Sequence, residues 1–514
     1  MNLRLSNKHF PGLVLSLAAI MLLSVAWVSD DAFITLRVID NFINGWGLRY
    51  NVIERVQVYT HPLWLFFLTP FYALTREALL TTMLVSVGLS LGALWLLARR
   101  IAVNIEYGCL LVLVAVASGS ISQFATSGLE TPLTFLLLAL LVAQLYQNKH
   151  GLSAALAGLL VLNRMDLAIL IGPLVVYLAF KAQRGQRWRI IAAAFLPVLI
   201  WMIFSIIYYG SPFPNTAYAK LGTGYGTGEL ILQGLHYGEN FLFNDPLLAL
   251  LIGASVLGAL RSRDQLLIAF ATGLLLYIVY TIAIGGDFMS GRFFATPGFL
   301  ALCLLARLPA PRWLLTRTKL VAPIIIAILA LLLVARSTQA PGGAVAKADY
   351  GIVDERSFYY LYNGLPAVLN GWLATGEEPI HPWGHRGTVL RALAEQNRKP
   401  VMVITGTIGM RGYYGGPMLH IMDELALADP FLARLPAQPG SRVGHYLRAI
   451  PPGYSETVLL VDPLTNDALQ PLLNDVVLAT RAPLFADGRW GAVWRLLSGH
   501  YRWGYASGPE SGDR

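Results

Sequence analysis

PGLVLSLAAIMLLSVAWVSDD, residues 11–31, sets the class of the chain. Its first eighteen residues carry no charge, and a helix of that length matches a bilayer core about 30 Å thick. Asp30 and Asp31 follow at once. They fall at the far interface, where water or a polar neighbour can support them; inside hydrocarbon each charge would be costly. The next stretch, DAFITLRVIDNFINGWGLRYN (31–51), is not a second span. Ala32, Phe33, Leu36, Ile39 and Ile43 recur at helical spacing, with Asp31, Thr35, Asp40, Asn41 and Asn44 between them. That pattern predicts an amphipathic helix lying along the interface, ended by Asn44-Gly45 and Gly47. Two carboxylates under such a helix read as the floor of a site. Capping of the helix by one of them is the plainer alternative, and it accounts for one acid better than for two.

The rest of the composition agrees with a membrane protein. Of 514 residues, 56% are hydrophobic and 13% charged, against about 25% charged in soluble domains, and the mean hydropathy is +0.57. Eleven crossings are expected, near 11–29, 78–98, 103–119, 129–147, 150–163, 166–182, 188–209, 246–260, 265–284, 293–308 and 318–336. The first reads as a retained signal-anchor, since no small-x-small cleavage site precedes Asp30. The apolar segment 62–75 is short and broken by Pro70; it reads as a re-entrant or interfacial helix. Eleven crossings with the N-terminus inside put Arg99/Arg100, Lys149, Lys181/Arg184/Arg187/Arg189, Arg261/Arg263 and Arg307/Arg312/Arg317/Lys319 in cytoplasmic loops, as the positive-inside rule requires.

The fold class expected is therefore a polytopic all-α membrane domain over 1–336 with interfacial helices, followed by an external α/β domain over 337–514. In the latter, 399–410 (KPVMVITGTIGM) reads as a buried strand and glycine turn, 418–430 as a helix, 456–463 as a second strand, and HPWGHRG (381–387) as a loop. The net charge of +9 lies mostly in loops between spans and accompanies no nucleic-acid module. Cys109 and Cys303 sit in apolar spans and make no disulfide framework or metal motif.

Under this topology the unusual polar motifs gather on the external face: SDDAFITLR (29–37), THPLW (60–64), TSGLETPL (126–133), NRMD (163–166), YYGSPFPNTAYAK (208–220) and GGDFMSGRFF (285–294). Their convergence predicts an external site. Asp30 and Asp31 are the candidate catalytic acids: as general base toward a sugar hydroxyl, as ligands of a divalent cation such as Mg, Mn or Ca, or as hydroxyl-orienting groups. Arg37, Arg164, Lys220 and Arg292 are candidates for binding a lipid-linked phosphate, because they can give charge-assisted hydrogen bonds near the headgroup plane; snorkelling to lipid is their ordinary alternative. His61, Glu130, Asp166, Asn215 and Asp287 complete the candidate donor site. The histidines show no zinc spacing, GTGYGTG (222–228) lacks the lysine and setting of a phosphate loop, and TSGLE lacks the G-x-S-x-G of a nucleophile elbow.

The ordered set DDAFITLR, THPLW, SGLETPL, LNRMDLAIL, GSPFPNTAYAK and GGDFMSGRFF, with TGTIGMRGYYGG, IMDELALADP and VGHYLRAIP beyond it, resembles the GT-C superfamily of polyprenyl-phosphate-dependent glycosyltransferases. It is most similar to the mycobacterial terminal β-(1→2) arabinofuranosyltransferase group and related bacterial proteins. The resemblance implies that Asp30 and Asp31 are the first-loop acids that activate or orient the acceptor. Arg164-Met165-Asp166 stands where the family has Arg-Pro-Asp, and Asp287 and Arg292 stand in its external aspartate-arginine motif. It further implies a multi-pass protein of the bacterial inner membrane with its site and distal domain facing the periplasm. The implied partners are a polyprenyl-phosphate sugar, a glycan or glycoprotein acceptor, and membrane lipid; no metal is strictly required. A lipid-linked sugar transporter or a non-enzymatic envelope, flagellum or pilus assembly protein are the alternatives, disfavoured by polar residues confined to one face.

Overall fold

The computed structural model describes residues 10–221, 223–309, 350–377, 379–460 and 468–501. Ten of the expected apolar segments form helices: Phe10–Val25, Leu79–Leu96 (extended by a π-helical turn, Leu97–Ile101), Ile105–Ala117, Thr131–Leu145, His150–Asn163, Leu167–Lys181, Arg184–Tyr209, Pro246–Ser262, Gln265–Ala283 and Arg292–Arg307. The expected span 318–336 lies outside the described residues. Among the described residues, three helices (Leu79–Ile101, Arg184–Tyr209 and Gln265–Ala283) are long and apolar enough to cross a membrane. A fourth crossing is possible if the bent pair Thr227–Asn244 and Pro246–Ser262, which meet at 107°, counts as one. The helices therefore coincide with the expected segments while most are shorter than a full span.

The chain folds as two compact units. Unit one comprises residues 1–29, 61–198 and 227–379. Its core is helix on helix: Gln265–Ala283 packs on Leu167–Lys181, Leu79–Leu96 and His150–Asn163 pack on Thr131–Leu145, and Pro246–Ser262 packs on Arg292–Arg307. The helices Glu355–Asn363 and Leu365–Thr375 join this unit through the exit of the first helix. Leu365 N–H donates to Ala26 O (3.0 Å), Val28 N–H to Asn363 O (3.1 Å), and Arg356 Nε to Val25 O (3.1 Å). Met289 and Val353 form a further parallel bridge. These bonds satisfy backbone groups that would otherwise be orphaned where the first helix ends.

Unit two comprises residues 30–60, 199–226 and 380–514. Asp30–Ile43 is a helix, as its periodicity predicts, but ten of its fourteen residues are buried. It is a packed element of this unit rather than a helix floating on an interface. The regular sheet consists of Val401–Ile404 and Leu419–Met422, parallel, with Val401 opposite Leu419. Asn51 extends the edge by side-chain mimicry: its Oδ1 accepts from Ile421 N–H and its Nδ2 donates to Ile421 O, both at 3.0 Å. Behind the sheet, Met422, Phe431, Leu432, Tyr454, Val458, Leu472 and Val476 form an apolar cluster.

Three local expectations are corrected here. Residues 419–422 are a strand and not part of a helix, because this fully buried apolar run pairs with Val401–Ile404 and helical periodicity cannot distinguish the two states over so short a run. Tyr454–Leu460 is helical where a strand is expected. HPWGHRG opens the helix Pro382–Asn397: Pro382 sits in its first turn, where a missing N–H costs nothing, and His381 Nδ1 caps it by accepting from Trp383 N–H at 3.2 Å.

Candidate active site

In unit one, six of the predicted residues form one buried network supplied by the ends of separate helices. His61 precedes Pro62–Thr75, Glu130 precedes Thr131–Leu145, Arg164 and Asp166 join His150–Asn163 to Leu167–Lys181, and Asp287 and Arg292 flank the entry to Arg292–Arg307. Glu130 is the hub, only 1% exposed. Its Oε2 lies 3.4 Å from His61 Nδ1, and its Oε1 lies 3.5 Å from an Arg164 Nη and 3.9 Å from an Arg292 Nη. Arg164 is held by Asp166 in a fork, Nε to Oδ1 at 2.8 Å and Nη2 to Oδ2 at 2.9 Å, and lies 4.5 Å over the Phe293 ring. Arg292 pairs with Asp287 at 3.3 Å.

Backbone donors and hydroxyls fix the frame. Tyr277 Oη donates to Asp166 Oδ2 at 2.7 Å. Tyr237 Oη donates to Met289 O and accepts from Phe293 N–H, each at 3.0 Å, which pins the loop carrying Asp287. Gly286 enables that contact. Its φ is +70°, and a Cβ there would lie 2.4 Å from the Tyr237 ring, so only glycine fits. Burial pushes the His61 imidazole down to about 4, Glu130 opposing and the two arginines assisting the shift. His61 is therefore neutral at pH 7. Three carboxylates then face two guanidiniums, and the network is net anionic. The Asp166 oxygens accept from Arg164 and Tyr277 and the Asp287 oxygens from Phe288 N–H and Arg292, while Glu130 Oε2 makes no hydrogen bond.

Asp30, Asp31, Arg37, Asn215 and Lys220 belong to unit two. Asp30 is 8% exposed, and its carboxylate accepts from Gly409 N–H (Oδ2, 3.0 Å) and Met410 N–H (Oδ1, 2.7 Å). It thus caps Gly409–Gly415, a helix remote in sequence, rather than only the helix in which it stands. A Cβ on Gly409 would meet Asp30 O at 1.9 Å; the approach depends on glycine. Burial raises the Asp30 carboxyl to about 6, the Met410 amide opposing and Asp31 adding to the rise. Asp31, in the same first turn, is less buried than Asp30. Arg37 is buried, its Nε donating to Tyr50 O at 2.9 Å and Nη2 to Leu419 O at 2.5 Å. Asn215 Nδ2 donates to Ala426 O, Leu427 O and Asp429 O at 2.9, 3.1 and 3.1 Å. Asn215 thus gives its donors to backbone carbonyls, as do Arg37 Nε and Nη2, while Arg37 Nη1 is buried and makes no hydrogen bond. Lys220 ends the short helix Asn215–Lys220 and is exposed.

Both Asp30 oxygens are taken by amides, and among the described residues no group of three or more His, Cys, Asp or Glu side chains could hold a metal ion. The residues that sequence reasoning passed over are Tyr237, Tyr277 and Phe293, which look like ordinary core aromatics, and the Gly409–Met410 amides, which leave no side-chain signal.

A chain of apolar helices with a buried charged network at their ends is a membrane protein built around a polar site, and its relatives say of which class. No protein-family model matches the chain. A terminal β-(1→2)-arabinofuranosyltransferase of Mycobacterium tuberculosis is 27% identical over 516 residues, covering 82% of this chain and 80% of the relative. The protein of the same name from Corynebacterium glutamicum is 30% identical over 338 residues, covering 55% of this chain and 48% of the relative, about half its length. That kinship makes the chain a glycosyltransferase and a homologue of these two enzymes. Among solved structures, the archaeal oligosaccharyltransferase AglB from Archaeoglobus fulgidus, in complex with an inhibitory peptide and a dolichol-phosphate, aligns at TM-score 0.49 and 13% identity, over 83% of this chain and 65% of that one. ArnT from Cupriavidus metallidurans aligns at 0.47 and 15%, over 82% and 87%. At these scores the assignment rests on the sequence relatives.

Proposed function

We propose that the protein transfers a sugar, arabinofuranose by kinship, from a polyprenyl-phosphate donor to a hydroxyl of a cell-envelope glycan or glycoprotein, at the outer face of the bacterial inner membrane. The observation that carries the reading is the buried network around Glu130, found in a chain whose sequence relatives are arabinofuranosyltransferases. Its excess of carboxylates suits the hydroxyls of a sugar better than a phosphate, because each oxygen can accept a charge-assisted hydrogen bond. Glu130, whose Oε2 makes no hydrogen bond, is the acceptor with capacity left, and Arg164 and Arg292 hold it in place.

Within unit two, Asp31 takes the proton of the attacking hydroxyl. Asp30 is a positioning residue, since its oxygens are committed to the Gly409 and Met410 amides. The acceptor oxygen bonds to the anomeric carbon, the bond from that carbon to the phosphate oxygen breaks, and its electron pair leaves with the polyprenyl phosphate. Purified full-length protein, incubated with a panel of polyprenyl-phosphate sugars, should release polyprenyl phosphate from one of them. Asp31→Asn should lower turnover by about 10²-fold or more, the usual worth of a general base, while leaving the melting temperature within error. Full turnover by that variant, or no release from any sugar in the panel, would end the reading.

A further inference from the structure

Unit two holds an arginine pair to which nothing above gives a role. Arg411 lies two residues past Gly409, in the turn whose amides bind Asp30, and is 8% exposed. One of its Nη groups donates to Thr405 Oγ1 at 2.5 Å, and that hydroxyl lies 3.1 Å from Thr407 Oγ1. Its Nε is buried and makes no hydrogen bond. Arg386 is exposed on the neighbouring helix Pro382–Asn397, which packs against Gly409–Gly415. Burial lowers the Arg411 guanidinium pKa, and the charge of Arg386 lowers it further.

The contrast with other arginines is informative. Arg164, Arg292, Arg391, Arg481 and Arg495 each pair with a carboxylate. Arg55 and Arg489 give their donors to backbone carbonyls, and Arg37 gives its Nε and Nη2. Among the described residues, neither Arg386 nor Arg411 forms such an ion pair. The carboxylate that Arg411 feels most, Asp30, has both oxygens on amides. Two like charges held together around a partly dehydrated guanidinium oppose folding. A tetrahedral oxyanion that accepts from both turns the arrangement favourable, because guanidinium forks match phosphate geometry.

We propose that Arg411 and Arg386, with the Thr405 and Thr407 hydroxyls, form a phosphate subsite that receives the headgroup of the polyprenyl phosphate. The inference rests on the transfer reaction above and says where its leaving group is stabilised. As the carbon–oxygen bond breaks, the phosphate passes from diester monoanion to monoester dianion, so cations fixed beforehand at that position favour the transition state over the ground state. Asp31 adjoins Asp30 in the first turn of its helix and Arg411 adjoins the Met410 amide that holds Asp30, so the acid that gains the proton and the cation that receives the leaving charge flank one carboxylate.

The test compares wild-type full-length protein with Arg411→Gln and Arg386→Gln, the second at an exposed position that leaves packing intact. Farnesyl phosphate is the probe, with farnesol, inorganic phosphate and phosphatidylglycerol micelles as parallel arms. Both variants should bind farnesyl phosphate about tenfold more weakly or worse, with farnesol binding unchanged and kcat for sugar transfer lowered. Unchanged farnesyl phosphate affinity in both variants would overturn the subsite while leaving sugar transfer by the wild type standing. Equal, arginine-dependent binding of phosphatidylglycerol would overturn it in favour of a bulk-lipid headgroup site. If the wild type releases no polyprenyl phosphate from any donor, the transfer reading fails instead, and the farnesyl phosphate arm still decides the subsite.

Discussion

Asp30→Asn should make stability less dependent on pH, with a sign fixed by burial. The Asp30 carboxyl rises from 3.8 to about 6 in the folded chain because burial disfavours its charge more than two amides and Arg411 favour it. A carboxyl whose folded pKa is raised contributes stability that is fully present below 3.8 and lost as pH climbs through about 6. At about 1.4 kcal/mol per pH unit, the loss attached to this one group is roughly 3 kcal/mol by pH 7.5. Asparagine is neutral throughout and keeps an oxygen for one amide, at the cost of facing the other with its NH2. Relative to wild type, Asp30→Asn should therefore gain roughly 2.4 kcal/mol between pH 4 and pH 7.5, whatever its absolute stability. Asp423 and Asp429, also raised by burial to about 7, steepen the wild-type profile in the same direction. They are common to both proteins and cancel in the difference. The assay is apparent melting temperature in detergent across that range, read as variant minus wild type. A difference that stays flat with pH, or falls as pH rises, refutes the account of Asp30 as a buried, amide-bound carboxylate.

Glu130→Ala leaves Arg164 and Arg292 buried with one fewer counter-charge, and should cost about 3–5 kcal/mol, measurable as a lower melting temperature and lower detergent-soluble yield. His61→Asn tests the opposite linkage. Burial depresses His61 from 6.5 to about 4, so wild type loses stability as pH falls from 6.5 toward 4, and the variant should resist that acid loss better; an identical acid limb would contradict a buried neutral imidazole. Gly409→Ala puts a Cβ 1.9 Å from Asp30 O and should lower the melting temperature far more than alanine at exposed Gly151, where nothing lies within 4 Å.

The sequence made most of the helical frame legible, because an apolar run of span length has few other outcomes. His150–Asn163 is found at the predicted bounds. The charged motifs of unit one were legible for a related reason: an ionisable residue beside an apolar span is expensive unless it is paired, so His61, Glu130, Arg164, Asp166, Asp287 and Arg292 stood out, and they form one network. What sequence could not supply was the identity of each partner. Arg37 and Asn215 look the same as ligand-binding residues until the carbonyls of Leu419 and Ala426 are seen to occupy them. In the distal segment the elements are short, and over four residues a buried strand and a helical turn share one pattern; Leu419–Met422 was lost for that reason.

The charged centres of the two units differ in how their arginines are paired. Around Glu130, acids outnumber bases and each base is already paired. A phosphate arriving there would have to displace an existing carboxylate from Arg164 or Arg292, exchanging one ion pair for another with little net gain, while the displaced buried carboxylate would lose its partner. A sugar hydroxyl has no such conflict, since it donates to a carboxylate without removing the arginine. Around Asp30 the pairing differs: the buried acid is bound to amides, and Arg411 beside it forms no ion pair among the described residues. A leaving group that gains negative charge is stabilised only where positive charge is still available. Arg411, next to the Met410 amide that holds Asp30, meets that condition, and the paired arginines around Glu130 do not.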